Sequence, residues 1–167
     1  QNERQRLSDL INSNRVVANP SATPRLANTE LIAFYVNWDD TSFTSLKNNL
    51  NRIDRLVPEW LHLTSADGTI GIDDPNRLKL ALDYIKLHRP NLPIVPLVNN
   101  FRSESMQWER EKLATMLANP DSRRNAIQNL LSYVTGNGFA GISIDFENVP
   151  PESQKDLRQF MIELSAA

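Results

Sequence analysis

Residues 138–149 read Gly-Phe-Ala-Gly-Ile-Ser-Ile-Asp-Phe-Glu-Asn-Val. The stretch has the pattern of one strand that carries two carboxylates to its own C-terminal end. Strand side chains alternate between faces, so Gly141, Ser143, Asp145 and Glu147 share one side. Ala140, Ile142, Ile144 and Phe146 share the other, which is wholly apolar and suits packing under helices. The polar side ends in two acids, which are costly on a sheet unless the place is wet, paired or used. Neighbouring carboxylates can divide labour, one kept protonated as an acid and the other ionised. Asp-x-Glu alone is a common pattern, and the plain alternative is that Asp145 and Glu147 cap the helix that follows.

With its Gly138-Phe139-x-Gly141-Ile142 lead-in, the segment resembles the strand-four signature Asp-x-x-Asp-x-Asp-x-Glu of glycoside hydrolase family 18, the chitinase-like family. Asp145 and Glu147 match the last two signature positions, while Ala140 and Ser143 stand where the first two acids would be. The resemblance implies that Glu147 donates a proton to the glycosidic oxygen. It implies that Asp145 orients the substrate's N-acetyl group and supports the cyclic oxazolinium ion that this group forms, a substrate-assisted route. Ser143 replaces an acid that in the family shares a proton with the assisting Asp. A serine can hydrogen-bond Asp145 but cannot exchange charge with it.

The composition narrows the field. A chain of 167 residues buries one sizeable core. A net charge of −2 with scattered Lys and Arg gives no reason to expect nucleic acid or an anionic membrane surface as partner. With no cysteine, disulfides and thiolate metal sites are excluded. The two imidazoles, His62 and His88, sit on different elements without metal-ligand spacing, so neither a metal nor another cofactor is expected. His62 reads as a partnered barrel histidine and His88 as the end of a helix, where partial positive charge is favourable. No apolar run approaches the ~20 residues needed to cross a bilayer. The chain opens at Gln1 on a polar stretch, so it is expected to be a segment of a longer protein, with residues 1–30 a flexible linker holding a short helix over 4–12.

From Leu31 the pattern becomes regular. Strands are expected at 31–38, 56–64, 92–98 and through the quoted stretch. Pro58 should lie at a strand start or a bulge. Helices are expected at 45–53, from Asp74-Pro75 to Pro90, at 104–117, from Asn119-Pro120 to Gly138, and from Pro150-Pro151 onward. Ser65–Gly68 is a turn before a short extended piece. Strand–helix alternation predicts a parallel sheet with right-handed crossovers. It leaves open a doubly wound sheet or a barrel, and no Gly-x-Gly-x-x-Gly follows the first strand. The resemblance selects the barrel. A complete (β/α)8 TIM barrel takes roughly 250 residues, so the fold class expected is α/β, with residues 31–167 forming the first four strand-helix units.

Phe34-Tyr35-Val36-Asn37-Trp38 resembles the run that ends strand one in many chitinase-type barrels. The resemblance makes Phe34 and Trp38 sugar-facing aromatics, whose flat apolar faces suit sugar C–H surfaces. For Phe34, plain core packing competes on equal terms. Asn99 and Asn100 end strand three, where active-site groups collect; they are either sugar ligands or ordinary turn residues. The segment 57–63 resembles strand two of a bacterial subset in which the barrel is fused to a polysaccharide deacetylase and a membrane glycosyltransferase. That implies an extracytoplasmic location. Glu59 is expected at the strand's start, on the face opposite the active site.

The function implied is hydrolysis of β-1,4-linked N-acetylglucosamine glycans (chitin-like, peptidoglycan or exopolysaccharide), with the segment inactive by itself. The partners implied are that polysaccharide and the C-terminal half of the same barrel, and the segment alone is expected to self-associate. A non-catalytic glycan-binding domain is the competing reading, favoured by Ala140 and Ser143. A third is an unrelated α/β domain with a coincidental Asp-x-Glu.

Overall fold

Four segments, each carrying apolar residues toward the helices, form the strands of one parallel sheet. The computed structural model describes residues 28–167; the linker and helix expected over most of residues 1–30 lie outside them. The strands of the main path are β1 (Ile32–Val36), β2 (Arg55–Leu63), β4 (Leu97–Asn99) and β7 (Ser143–Asp145), hydrogen-bonded in that order. β3 (Ile70–Ile72) folds back antiparallel on β2, and β5 (Phe101–Arg102) pairs with β6 (Gln107–Trp108) as a separate hairpin. Five helices lie between and after the strands: α1 (Asp40–Asn49), α2 (Pro75–His88), α3 (Arg110–Ala118), α4 (Pro120–Asn137) and α5 (Gln154–Ala166). The α/β fold of four parallel strand-helix units is the one expected.

Local chemistry sets most of the boundaries. Asp74 and Asn119 cap α2 and α4 with their side chains, each followed by a proline at the first helical position. Gly138 ends α4 in the left-handed region at φ 67°. Several elements depart from expectation. The third strand, expected at 92–98, is only Leu97–Asn99, because Pro93 and Pro96 interrupt the residues before it, which keep an isolated bridge of Ile94 to Leu56. α1 starts at Asp40, five residues before Ser45, because Asp39 accepts from the Thr41 N–H at 2.8 Å and rescues a first turn of weak helix formers. Residues 104–108 turn and pair instead of starting a helix, with Met106 at φ 52° and Phe101 edge-on to Trp108 at 5.0 Å. Pro58 lies inside β2, opposite Tyr35. Leu56 directs its backbone toward the β4 side, so by alternation the missing Pro58 N–H falls there too, where pairing is interrupted before resuming at Glu59–Leu97.

The core lies between the sheet and the helices. Leu56, Trp60 and Val98 are fully buried under Leu113, Met116, Leu117, Leu130 and Phe160. Ile142, Ile144 and Phe146 pack on this core from β7, as their alternation requires, with Phe146 5.7 Å from Phe160. β7 is the last strand of the described sheet and is not central to it. Buried Arg123 ties the helices together. It donates to both carboxylate oxygens of Glu163 at 2.9 and 3.0 Å and to the Leu117 carbonyl at 2.7 Å.

Candidate active site

Parallel strands place all their C-terminal ends along one edge, and polar side chains gather there. On the face away from the helices, pairing lines up Val36, Glu59, Leu97 and Ser143 in one row. His62, Asn99 and Asp145 form the next row toward the edge. Glu147 follows two residues after Asp145, and Trp38 two residues after the end of β1.

Glu59 and His62 are three residues apart, a spacing that would put them on opposite faces of a regular strand. Both reach Asn99. The register of β2 against β4 shifts between Glu59 and Leu61, and this bulge returns His62 to the face of Glu59. The carbonyl of Trp60, inside the bulge, accepts from the Asp73 N–H at 2.9 Å beyond β3. Glu59 therefore stands in mid-strand on the site side, which corrects its expected place at the opposite face.

Asn99 organises this group. Its Oδ1 accepts from the Phe101 N–H at 3.1 Å, and a backbone N–H can only donate, so the amide orientation is fixed. Its Nδ2 donates to Glu59 Oε1 at 3.0 Å. His62 Nδ1 lies 2.6 Å from the same Oδ1 and so carries the proton of that bond. His62 Nε2 faces Asp73 Oδ2 at 3.1 Å, which makes it the partnered histidine expected. Burial pushes the Glu59 carboxyl above the usual carboxylate range; the Asp145 and Asp73 charges add to the rise, while His62 and the Asn99 bond oppose it.

Asn100 grips the chain at Glu147. Its Nδ2 donates to the Glu147 carbonyl at 3.0 Å and its Oδ1 accepts from the Glu147 N–H at 2.9 Å. The Glu147 side chain is exposed, and Asn148 turns the chain at φ 53°. Asn99 and Asn100 are both 0% exposed. Their amides are engaged by protein groups, so they build the site's frame and do not present free amides to a sugar.

Trp38 is 65% exposed and Phe34 72% exposed on the site face of β1, whereas Tyr35 between them packs edge-on to Trp60. Phe34 therefore lies outside the helix-facing core. The Trp38 backbone is held on both sides. Buried Asn37 donates to the Asp73 carbonyl at 2.6 Å, Arg77 donates to the Asn37 carbonyl at 3.2 Å, and Asp39 caps α1. Arg77 also reaches Asp40 at 2.7 Å and Asp74 at 3.2 Å. Sequence reasoning weighed Glu59 but misplaced it, and it did not single out Asn37 or Arg77. The Asn-Trp pair after β1 was the one available signal, because a buried amide is a common way to fix a loop. Among the described residues no group of three or more His, Cys, Asp or Glu is placed to hold a metal ion.

The arrangement unites an exposed carboxyl on a fixed backbone, a second carboxylate on the strand before it and aromatic surface along the same edge. Similar architectures occur in solved enzymes. A class V chitinase from Pseudomonas fluorescens Pf-5 superposes with a TM-score of 0.73 at 19% identity, covering 82% of this chain and 40% of that one. A Cycas revoluta chitinase solved with allosamidin gives 0.67 at 18% identity, over 83% of this chain and 40% of that one. The Bacillus cereus spore cortex-lytic enzyme SleL gives 0.65 at 17% identity, over 82% of this chain and 32% of that one. The chain thus spans about 40% of the length of the first two. No curated protein sequence matches it. The family model for glycosyl hydrolases family 18 matches residues 30–167, and the chain belongs to that family.

Proposed function

We propose that this chain supplies the first half of a glycosidase barrel that hydrolyses β-1,4-linked N-acetylglucosamine glycans by a substrate-assisted route. One observation carries the reading: Asp145 and Glu147 stand together at the C-terminal edge, with the Glu147 backbone fixed by Asn100. Glu147 is the proton donor to the leaving oxygen, exposed where a glycan can reach it. Asp145, behind it on the same strand face, orients the N-acetyl group and supports the oxazolinium charge. Trp38 and Phe34 offer apolar faces to the sugar rings. Related structures carry N-acetylglucosamine oligomers, as in a Cycas revoluta chitinase mutant with (GlcNAc)4. A polymer of this kind does not cross membranes, so the reading entails an extracytoplasmic place of action.

The test uses this chain joined to the rest of its barrel. Glu147→Gln keeps size and removes the proton donor, and a positioned general acid contributes about 10²–10⁴-fold. Hydrolysis of an N-acetylglucosamine oligomer should fall by that order; an unchanged rate would remove Glu147 from its role. Asp145→Asn should also lower turnover. Ser143 and Ala140 favour a second reading, a glycan-binding domain without turnover. Retention of the oligomer with no hydrolysis by the wild type would select it, and hydrolysis gained by Ser143→Asp would show what was lost. Alone, the chain is expected to be inactive.

A further inference from the structure

Trp38 is 65% exposed, so little packing fixes its ring and the backbone on either side has to aim it. Asp39 follows it, held as the cap of α1. Asn37 precedes it and is 1% exposed. The Asn37 Nδ2 donates to the Asp73 carbonyl at 2.6 Å, and a carbonyl can only accept, so the amide orientation is fixed. Its Oδ1 is buried without a partner among the described residues. A buried acceptor left unpaired costs stability, so stability alone does not explain an asparagine here. Arg77 donates at 3.2 Å to the Asn37 carbonyl, which belongs to the peptide bond leading into Trp38.

Asp73, the partner of Asn37, is itself anchored. Its N–H donates to the Trp60 carbonyl at 2.9 Å and its Oδ2 faces His62 Nε2 at 3.1 Å. His62 in turn reaches Asn99, the residue paired with Asp145. Next in the chain, Asp74 takes a left-handed φ of 36°, uncommon for a residue with a side chain. Its carboxylate holds it there, accepting from the Arg77 N–H at 3.1 Å and facing Arg77 Nε at 3.2 Å. A continuous line of contacts thus runs from the residue before Trp38, through Asp73, to the strand partner of Asp145.

We propose that Asn37 is a positioning residue for Trp38, and that through Asp73 it sets where this aromatic face stands relative to the strand end carrying Asp145. An aromatic face and an acid that act on one glycan chain need a fixed separation, and this brace supplies it across β1, β2 and β4. The glycan as ligand of the face rests on the glycosidase reading; the brace does not.

Fluorine NMR relaxation of fluorotryptophan, in this chain joined to the rest of its barrel, reads the ring directly. The Trp38 signal is assigned by its loss in Trp38→Phe. Asn37→Ala should increase the motion of the Trp38 ring, while the fully buried Trp60 keeps its own. Arg77→Lys keeps a charge for Asp40 and Asp74 but loses the fork that also reaches the Asn37 carbonyl, so it should act in the same direction. Should Asn37→Ala fail to fold, Arg77→Lys decides by the same reading. A Trp38 signal unchanged in the folded variants overturns the proposal. Binding of an N-acetylglucosamine tetramer supplies the second arm, measured with Glu147→Gln in place so that turnover does not intervene. Asn37→Ala should weaken binding several-fold when Trp38 is present and add nothing to Trp38→Ala, the signature of two residues acting as one. An equal loss in both backgrounds would mark Asn37 as a general structural residue and would also overturn the proposal. Absence of binding by every form would defeat the glycosidase reading, and the fluorine arm would still decide whether Asn37 positions Trp38.

Discussion

Asn100 binds both backbone groups of Glu147, donating to its carbonyl at 3.0 Å and accepting from its N–H at 2.9 Å. The two residues are 47 positions apart, so a long-range amide fixes the place where the strand releases its acid. Asn100→Leu keeps approximate size and leaves two backbone groups without partners, each worth about 1–3 kcal/mol when buried. The expected outcome in the completed barrel is a large loss of kcat together with a measurable fall in stability. A displacement of the order of 1 Å can cost about 10²-fold in rate. Unfolding by denaturant alongside turnover checks both parts.

Gly68 and Gly138 are both left-handed, at φ 91° and 67°, yet they should respond differently to alanine. A Cβ on Gly68 would lie 2.2 Å from the Ser122 carbonyl oxygen and 2.7 Å from the Ala126 nitrogen, both backbone atoms of α4. A Cβ on Gly138 would meet nothing within 4 Å. Gly138→Ala should cost only the left-handed penalty, about 1–2 kcal/mol. Gly68→Ala must in addition push the turn off α4 and break the bonds from Asn125 and Asn129 to the Asp67 and Gly68 carbonyls. Its loss should exceed about 4 kcal/mol, among the larger single-residue effects. Paired thermal melts decide the order.

Much of this fold is local enough to be legible in sequence. The alternation around Asp145, the Asp74-Pro75 and Asn119-Pro120 starts and the Gly138 stop each depend on a few adjacent residues. The hairpin at 101–108 was hidden, because Glu104, Met106 and Gln107 are good helix formers and the pairing of Phe101 with Trp108 decides against them. The bulge in β2 depends on how β2 meets β4 and β3, which no local window contains. His62 was consequently not seen to share a face with Glu59, and the polar group around Asn99 stayed hidden. The same limit hid the tie between Asn100 and Glu147: two consecutive asparagines read equally as turn residues or ligands until their partners are seen.

The raised carboxyl of Glu59 also predicts how stability depends on pH. Its proton is held more tightly in the folded chain than in the unfolded one, whose ordinary value is 4.5. Its contribution is therefore complete below 4.5 and is lost as pH rises through the higher folded value. Glu109 and Glu163 are lowered, chiefly by hydrogen bonds from Lys112 and Arg123, and act in the opposite sense. Their contributions are present above the ordinary range and vanish as pH falls through their folded values. Glu59→Gln should therefore gain stability relative to wild type as pH climbs above 4.5, with the difference levelling off once wild-type Glu59 is ionised. Denaturant midpoints for the two proteins across that range check it; a constant difference would contradict the sign.

The site face of the sheet predicts the behaviour of this chain by itself. β1 and β7 each have one strand neighbour in the described sheet, and an unpaired strand edge is a template for another chain. β1 also exposes Leu31, Ile32 and Phe34. A hollow of about 620 Å³ runs beside that edge, lined in part by Leu31, Phe34, Leu46 and Ile53. Apolar surface of this kind favours association. The 19.0 kDa chain should sediment with a mass that rises with concentration. Phe34→Ser removes the most exposed of these side chains without touching the helix-facing core, so it should shift association to higher concentration while leaving the melting temperature near wild type. A concentration-independent monomer would show that the β1 edge is closed by some other means.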